Sequence, residues 1–198
     1  MEGKIRRVVT GHDKNGKAIV LSDGLSPTIN TSPLRPGHYS CDIWRTTGMP
    51  IPIHAEEPDP TPGPRRLMPG PLGTLIRVSD IPPETERTQA IDPNHAREIF
   101  KAMGNENAST FGAGANTRHP FMHRTESVDY AFVLTNEIVM LLDDSEVLLK
   151  AGDVLIQRGT NHAWSNRTKS VTRMLYVLMA GKFDPELERA FAALGGGH

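Results

Sequence analysis

A chain of 198 residues with one cysteine, Cys41, has no means of forming an internal disulfide. That scarcity suits a reducing compartment, and the expectation is a cytoplasmic protein. There is no apolar run long enough to cross a bilayer, so no membrane partner is expected. The start, Met1-Glu2-Gly3-Lys4-Ile5-Arg6-Arg7, lacks the apolar centre of a secretion signal. Charge of one sign is also missing. Lys and Arg number 22 against 23 Asp and Glu, with no basic run. With no helix-turn-helix pattern either, nucleic acid is not an expected partner. No repeat of fixed period is evident.

What the chain does have, first, is proline in one place. Half of its 16 prolines lie between Met49 and Pro71. Such a run forms neither helix nor central strand. It reads as a linker or as an arm laid over a surface. Before it, short apolar runs at 5–10 and 18–22 flank Lys14-Asn15-Gly16-Lys17. Asn-Gly is a hairpin turn signal, because the two-residue turn wants positive φ at both positions. His12 reads as a solvated turn residue. Residues 24–41 read as an extended loop, and 41–47, with Trp44, as one more strand. His38 and His54 lie in irregular sequence and receive no ligand role. The division expected is a hairpin and Pro-rich arm over 1–72, a β-domain over 73–183 and a C-terminal helix and tail over 184–198.

Second, it has short strands in close succession. Residues 74–79 open the series. Runs at 130–134, 138–142, 146–150, 154–157 and 171–179 continue it, with turn signals such as Asp143-Asp144-Ser145 between them. This rhythm predicts a mainly β, antiparallel sandwich or barrel. Two helices interrupt it. Asp92 caps a helix over 92–104, with Pro93 at its first position and Gly104 as its stop. Asp184 and Pro185 open a second over 184–194, which Gly195 ends. Residues 105–117 are rich in Gly, Ala and Asn. They read as a mobile loop that is either a lid or a plain insertion.

Third, it has polar residues where a strand should be apolar. Side chains on a strand alternate between two faces. Asp129 therefore shares a face with Ala131 and Val133, His123 with Thr125, and His162 with Trp164 and Asn166. If those faces meet inside one barrel, two imidazoles and a carboxylate converge.

These residues carry a resemblance to the cupin superfamily. The family's second motif reads G-x5-P-x-G-x2-H-x3-N. Gly152, Gly159, His162 and Asn166 match it, with Gln157 in place of the proline and one residue fewer before it. The first motif reads G-x5-H-x-H-x3,4-E-x6-G. His123 matches its first His and Asp129 its Glu, while Thr125 replaces the second His and Asn136 the closing Gly. The resemblance extends to small single-cupin proteins with a Met-His-Arg-Thr segment before Val-Asp-Tyr.

The resemblance implies a cupin-type antiparallel β-barrel, a double-stranded β-helix or jelly roll, often dimeric, with a metal in its mouth. His123, Asp129 and His162 would be the ligands of a divalent ion, Fe, Zn or Mn. Two imidazoles with one carboxylate leave coordination positions open. Glu126 or His119 would serve as acid or base. Thr125, Gln157, Trp164 and Tyr176 would contact a small-molecule substrate. The implied function is a metal-dependent enzyme, a dioxygenase, decarboxylase or dehydratase, on an aromatic, phenolic or oxo-acid substrate. The alternative is a non-catalytic small-molecule or sugar-binding protein, since fold alone does not fix function. The N-terminal arm is expected to pack on a second subunit in a homodimer.

Overall fold

The computed structural model describes residues 4–33, 35–113 and 118–194. The strands are β1 (Arg6–His12), β2 (Ala18–Leu25), β3 (Asn30–Thr31), β4 (Tyr39–Thr46) and β5 (Thr74–Ile81). Helices α1 (Glu86–Gln89) and α2 (Pro93–Ala102) and a 3-10 turn at Glu106–Ala108 follow. Next come β6 (Ser127–Val133), β7 (Glu137–Leu141), β8 (Glu146–Lys150), β9 (Val154–Arg158), β10 (Ala163–Ser165) and β11 (Thr172–Ala180), and helix α3 (Pro185–Ala193) closes the set.

Every pairing is antiparallel. A six-stranded sheet has the order β3-β4-β5-β11-β6-β9, and a three-stranded sheet the order β10-β7-β8. The two sheets share one core. Ile81, Ala131, Val133 and Met174 of the larger meet Ile138, Met140 and Leu149 of the smaller. Burial along β6 alternates strictly, with Asp129, Ala131 and Val133 inward and Tyr130 outward. That is the period-2 pattern the sequence carries. The fold is the expected mainly β, cupin-type antiparallel barrel with a short C-terminal helix.

Both longer helices start where the sequence places them. Asp92 accepts from the Asn94 and His95 amides, and Asp184 from the Glu186 and Leu187 amides, with proline next in each case. Gly195 lies outside the described residues. Helix α2 ends at Ala102, ahead of Gly104, and packs Phe100 with Met103, Leu67 and Ala108.

Three local readings change. Of Asn15 and Gly16, only Gly16 has positive φ. Asp13 accepts from the Asn15 and Lys17 amides, so the β1–β2 loop is longer than a two-residue turn. The segment after α2 is tied down rather than loose up to Ala113. The Thr110 amide donates to the Met122 carbonyl, and the Arg124 amide to that of Ala108. Residues 114–117 of the expected loop lie outside the described residues. Finally, the 24–41 stretch is not all loop: it holds the end of β2, β3 and the start of β4.

The Pro-rich segment is an arm over the chain's own barrel. Thr61 is fully buried, and Leu67 sits in the α2 cluster with its amide bonded to the Met103 carbonyl. The hairpin is fastened to the arm by Arg7, whose guanidinium pairs with Asp59.

Candidate functional site

Between the sheets lies a cavity of about 140 Å³. Strand β6 delivers Asp129 to it, β11 Tyr176, and β5 Arg77. His123 and His162 come from extended segments just before β6 and β10. They face each other across an isolated antiparallel bridge, each amide donating to the other's carbonyl at 2.9 Å. The bridge sets the imidazole centroids 4.2 Å apart at an interplanar angle of 43°. Trp164 packs edge-on against both His162 and Tyr176.

The electrostatics follow from burial. Charged imidazolium is disfavoured in a dry site. Burial drives His123 down to about 4 and His162 well below its ordinary value, and both rings are neutral. Each ring has its Nδ1 at a backbone carbonyl, Phe121 at 2.9 Å and Thr160 at 3.0 Å. Donation there leaves Nε2 as the nitrogen with a free lone pair. At His162 the Gln157 amide, 3.0 Å from the same Nδ1, competes by favouring the other tautomer. Asp129 is 6% exposed, and its Oδ1 has no hydrogen-bond partner. Burial lifts its carboxyl to about 6, against the lowering effects of the Ser127 hydroxyl and Arg77. The Tyr176 hydroxyl is held far above its usual range, again by burial.

In kind, these groups suit a divalent ion: two neutral imidazoles and a carboxylate oxygen left without a donor. In arrangement they are less complete. Among the described residues, no group of three or more His, Cys, Asp or Glu is disposed to hold a metal.

The other candidate residues divide. Trp164 and Tyr176 line the cavity with His123, Asp129 and His162. Gln157 is buried behind His162; its amide donates to the Thr160 carbonyl, and its Oε1 accepts from the Gly159 amide. It orients the ring rather than facing the cavity. His119, Glu126 and Thr125 are not among the cavity's lining residues. The His119 Nδ1 accepts from the Phe121 amide, and its Nε2 lies 2.8 Å from Glu84 Oε1, so both nitrogens are engaged. Glu126 accepts from the Phe183 amide, and together with Thr125 it borders a separate outer cleft. Thr125 itself is buried against the Ser127 hydroxyl at 2.9 Å.

Sequence reading missed the cationic side of the cavity, Arg35, Arg65 and Arg77, and gave no role to His38, which lines it too and which burial holds well below its ordinary value. Arg77 had a signal. It is a charged residue between Ile76 and Val78 in a strand, on the same face as Leu75 and Ser79, all three buried. The others come from the loop and arm, where no periodicity points inward.

No family model matches the chain. Over 63 residues it is 52% identical to phomopsin biosynthesis cluster protein C' of Diaporthe leptostromiformis, a match covering 31% of this chain and 33% of the relative. The chain thus spans about a third of the length of that relative. The cupin-domain-containing oxidoreductase fogC of Aspergillus ruber is 26% identical over 190 residues, 89% of this chain and 72% of the relative. Among solved structures, the cupin domain of Schizosaccharomyces pombe Cnp3 aligns with 98% of this chain and 97% of its own, at 12% identity and a TM-score of 0.39. The motif residues find their reasons in the barrel: Gly152 and Gly159 have positive φ, and so does Asn136 in the place of a glycine. The barrel and those motif positions together have the form of a cupin fold, and the relative that is similar along most of this chain is described as a cupin-domain-containing oxidoreductase.

Proposed function

We propose that the protein is a cupin-type oxidoreductase acting on a small molecule held in the barrel cavity. The observation that carries this reading is that two buried neutral imidazoles, packed on each other, and a carboxylate whose Oδ1 has no partner line one cavity. An arrangement of that kind is costly to a barrel core unless something uses it. The relatives named cupin-domain-containing oxidoreductases support the class of reaction.

His123 and His162, with Asp129 as the third group, are the proposed ligands of Fe, Zn or Mn. When bound, such an ion supplies one-electron chemistry or Lewis acidity. The chain's own contribution is separate from the ion. Phe121 and Thr160 carbonyls fix the rings, Gln157 braces His162, and the apolar walls keep bulk water from the substrate.

The test is metal analysis of protein purified without chelator, followed by oxygen uptake with phenolic and oxo-acid compounds. The expected result is about one ion per chain, reduced at least about tenfold by His123→Ala or His162→Ala, together with substrate-dependent oxygen uptake. A chain that takes up none of Fe, Zn or Mn and turns over no substrate would leave a binding module instead.

A further inference from the structure

The cavity is unbalanced in charge. Three guanidinium groups, Arg35, Arg65 and Arg77, line it, whereas Asp129 is the one carboxylate doing so among the described residues. Arg77 is accounted for. It lies directly across from Asp42 in the β4–β5 register, donates to its Oδ1 at 2.7 Å, and donates to the Arg66 carbonyl at 2.5 Å. Asp42 is also taken by Arg45 at 2.6 Å; its field reaches Arg65, yet the Arg65 Nε has no hydrogen-bond acceptor.

Arg35 and Arg65 are different. Arg35 lies over the Phe121 ring at 4.8 Å, and its Nη2 is closed to solvent with no acceptor. The Arg65 Nε is likewise buried without an acceptor, and its Nη1 faces the Met103 sulfur, a weak one. Glu84, an acid whose field reaches Arg35, is already hydrogen-bonded to His119. Burial lowers Arg35 to about 10 and Arg65 to about 9, which leaves both charged at neutral pH. Buried guanidinium N–H groups without acceptors are strongly disfavoured. A planar fork of donors is matched by a carboxylate, which accepts through two oxygens at once.

We propose that Arg35 and Arg65 form an anion-binding end of the cavity, and that its ligand is a single-ring carboxylate whose carboxylate sits between them. The ring follows from size and lining. A cavity of about 140 Å³ matches the volume that takes a benzene-sized body. Its apolar walls include Leu67, Phe100, Trp164 and Leu178. The body of the ligand then shares the cavity with His123, His162 and Asp129, which line it as well. The inference rests on the oxidoreductase reading only in calling this ligand a substrate; the subsite itself is a matter of binding.

Calorimetric titration of the full chain with benzoate and with its uncharged analogue benzamide tests it without any turnover. Benzoate is expected to bind at least about tenfold more tightly than benzamide. Arg35→Met and Arg65→Met are each expected to remove about tenfold or more of the benzoate affinity and to leave benzamide alone, while Arg35→Lys restores part of it. Equal binding of the two probes, no binding of benzoate, or variants that bind benzoate like the parent would overturn the proposal. The comparison of the two probes on the unaltered protein stands even if a variant fails to fold. Benzoate binding as expected in a protein that oxidises nothing would retain the anion site and remove the oxidoreductase reading.

Discussion

Asn166 shows how a motif residue can be structural. It is fully buried, yet all of its hydrogen-bonding capacity is used. Its Nδ2 donates to the Ile81 and Ser170 carbonyls, each at 2.8 Å, and its Oδ1 accepts from the Thr168 amide and hydroxyl. It thereby ties the end of β5 to the turn before β11. Asn166→Ala takes a donor from the Ile81 carbonyl and the acceptor from the Thr168 amide, while the Ser170 carbonyl keeps Asn136 and the Thr168 hydroxyl; the change is expected to cost about 2–4 kcal/mol in denaturant unfolding, and a loss under about 1 kcal/mol would deny it that role. The same scale shows what the sequence revealed of the site. His123, Asp129 and His162 were legible because polar residues in a period-2 pattern demand a reason, and all three do face one cavity. His119 lies outside the cavity lining, its ring bonded to Glu84 and the Phe121 amide. Arg35 and Arg65 were illegible because loop residues carry no face.

Elements were read more reliably than their placement. The strands from β5 onward emerged within a residue or two of their expected bounds, save that β6 starts three residues early, at Ser127; each alternates or runs apolar between turn signals, but the three-residue β10 is too short to carry a period. Where the Pro-rich arm goes was not readable at all, because proline excludes structures without specifying a surface. The contact holding hairpin to arm gives a pH prediction. The Arg7 guanidinium, then the Thr61 hydroxyl and amide, hold the Asp59 carboxyl well below its usual range, against the opposing effect of burial. A depressed acid contributes stability that is complete above its unfolded value, about 4, and is lost as pH falls through the folded one. Hydrogen exchange of β1 and β2 amides is therefore expected to show loosening of the hairpin only below about pH 4, beyond the change in intrinsic exchange. Asp59→Asn is expected to loosen it by about 1 kcal/mol at neutral pH, the pair being partly solvated. Equal hairpin protection in Asp59→Asn and the parent would show that the ion pair does not fasten it.

At the scale of the whole molecule, the hairpin poses a question that one copy of the chain does not answer. A two-stranded sheet alone in water is marginally stable, and β2 is exposed along its entire length. By the β1–β2 register, with its bulge at Leu21, Val8, Val20 and Leu25 share one face of the hairpin, 47%, 60% and 63% exposed. The barrel has a second bare apolar surface at its edge. There Tyr130 pairs with Ile156 and Phe132 with Val154, and Tyr130, Ile156 and Val154 are all exposed. Arg7 fastens the hairpin's other side to Asp59, leaving β2 free to meet a neighbour. Covering such a face with a second copy satisfies it by burying apolar area on both chains. Light scattering on the eluting full chain is expected to give the mass of two copies. Val20→Lys with Leu25→Lys is expected to give one copy with an unchanged far-UV spectrum, since neither side chain is in the barrel core. A single-copy mass for the unaltered chain would mean that the hairpin stands on its own arm alone.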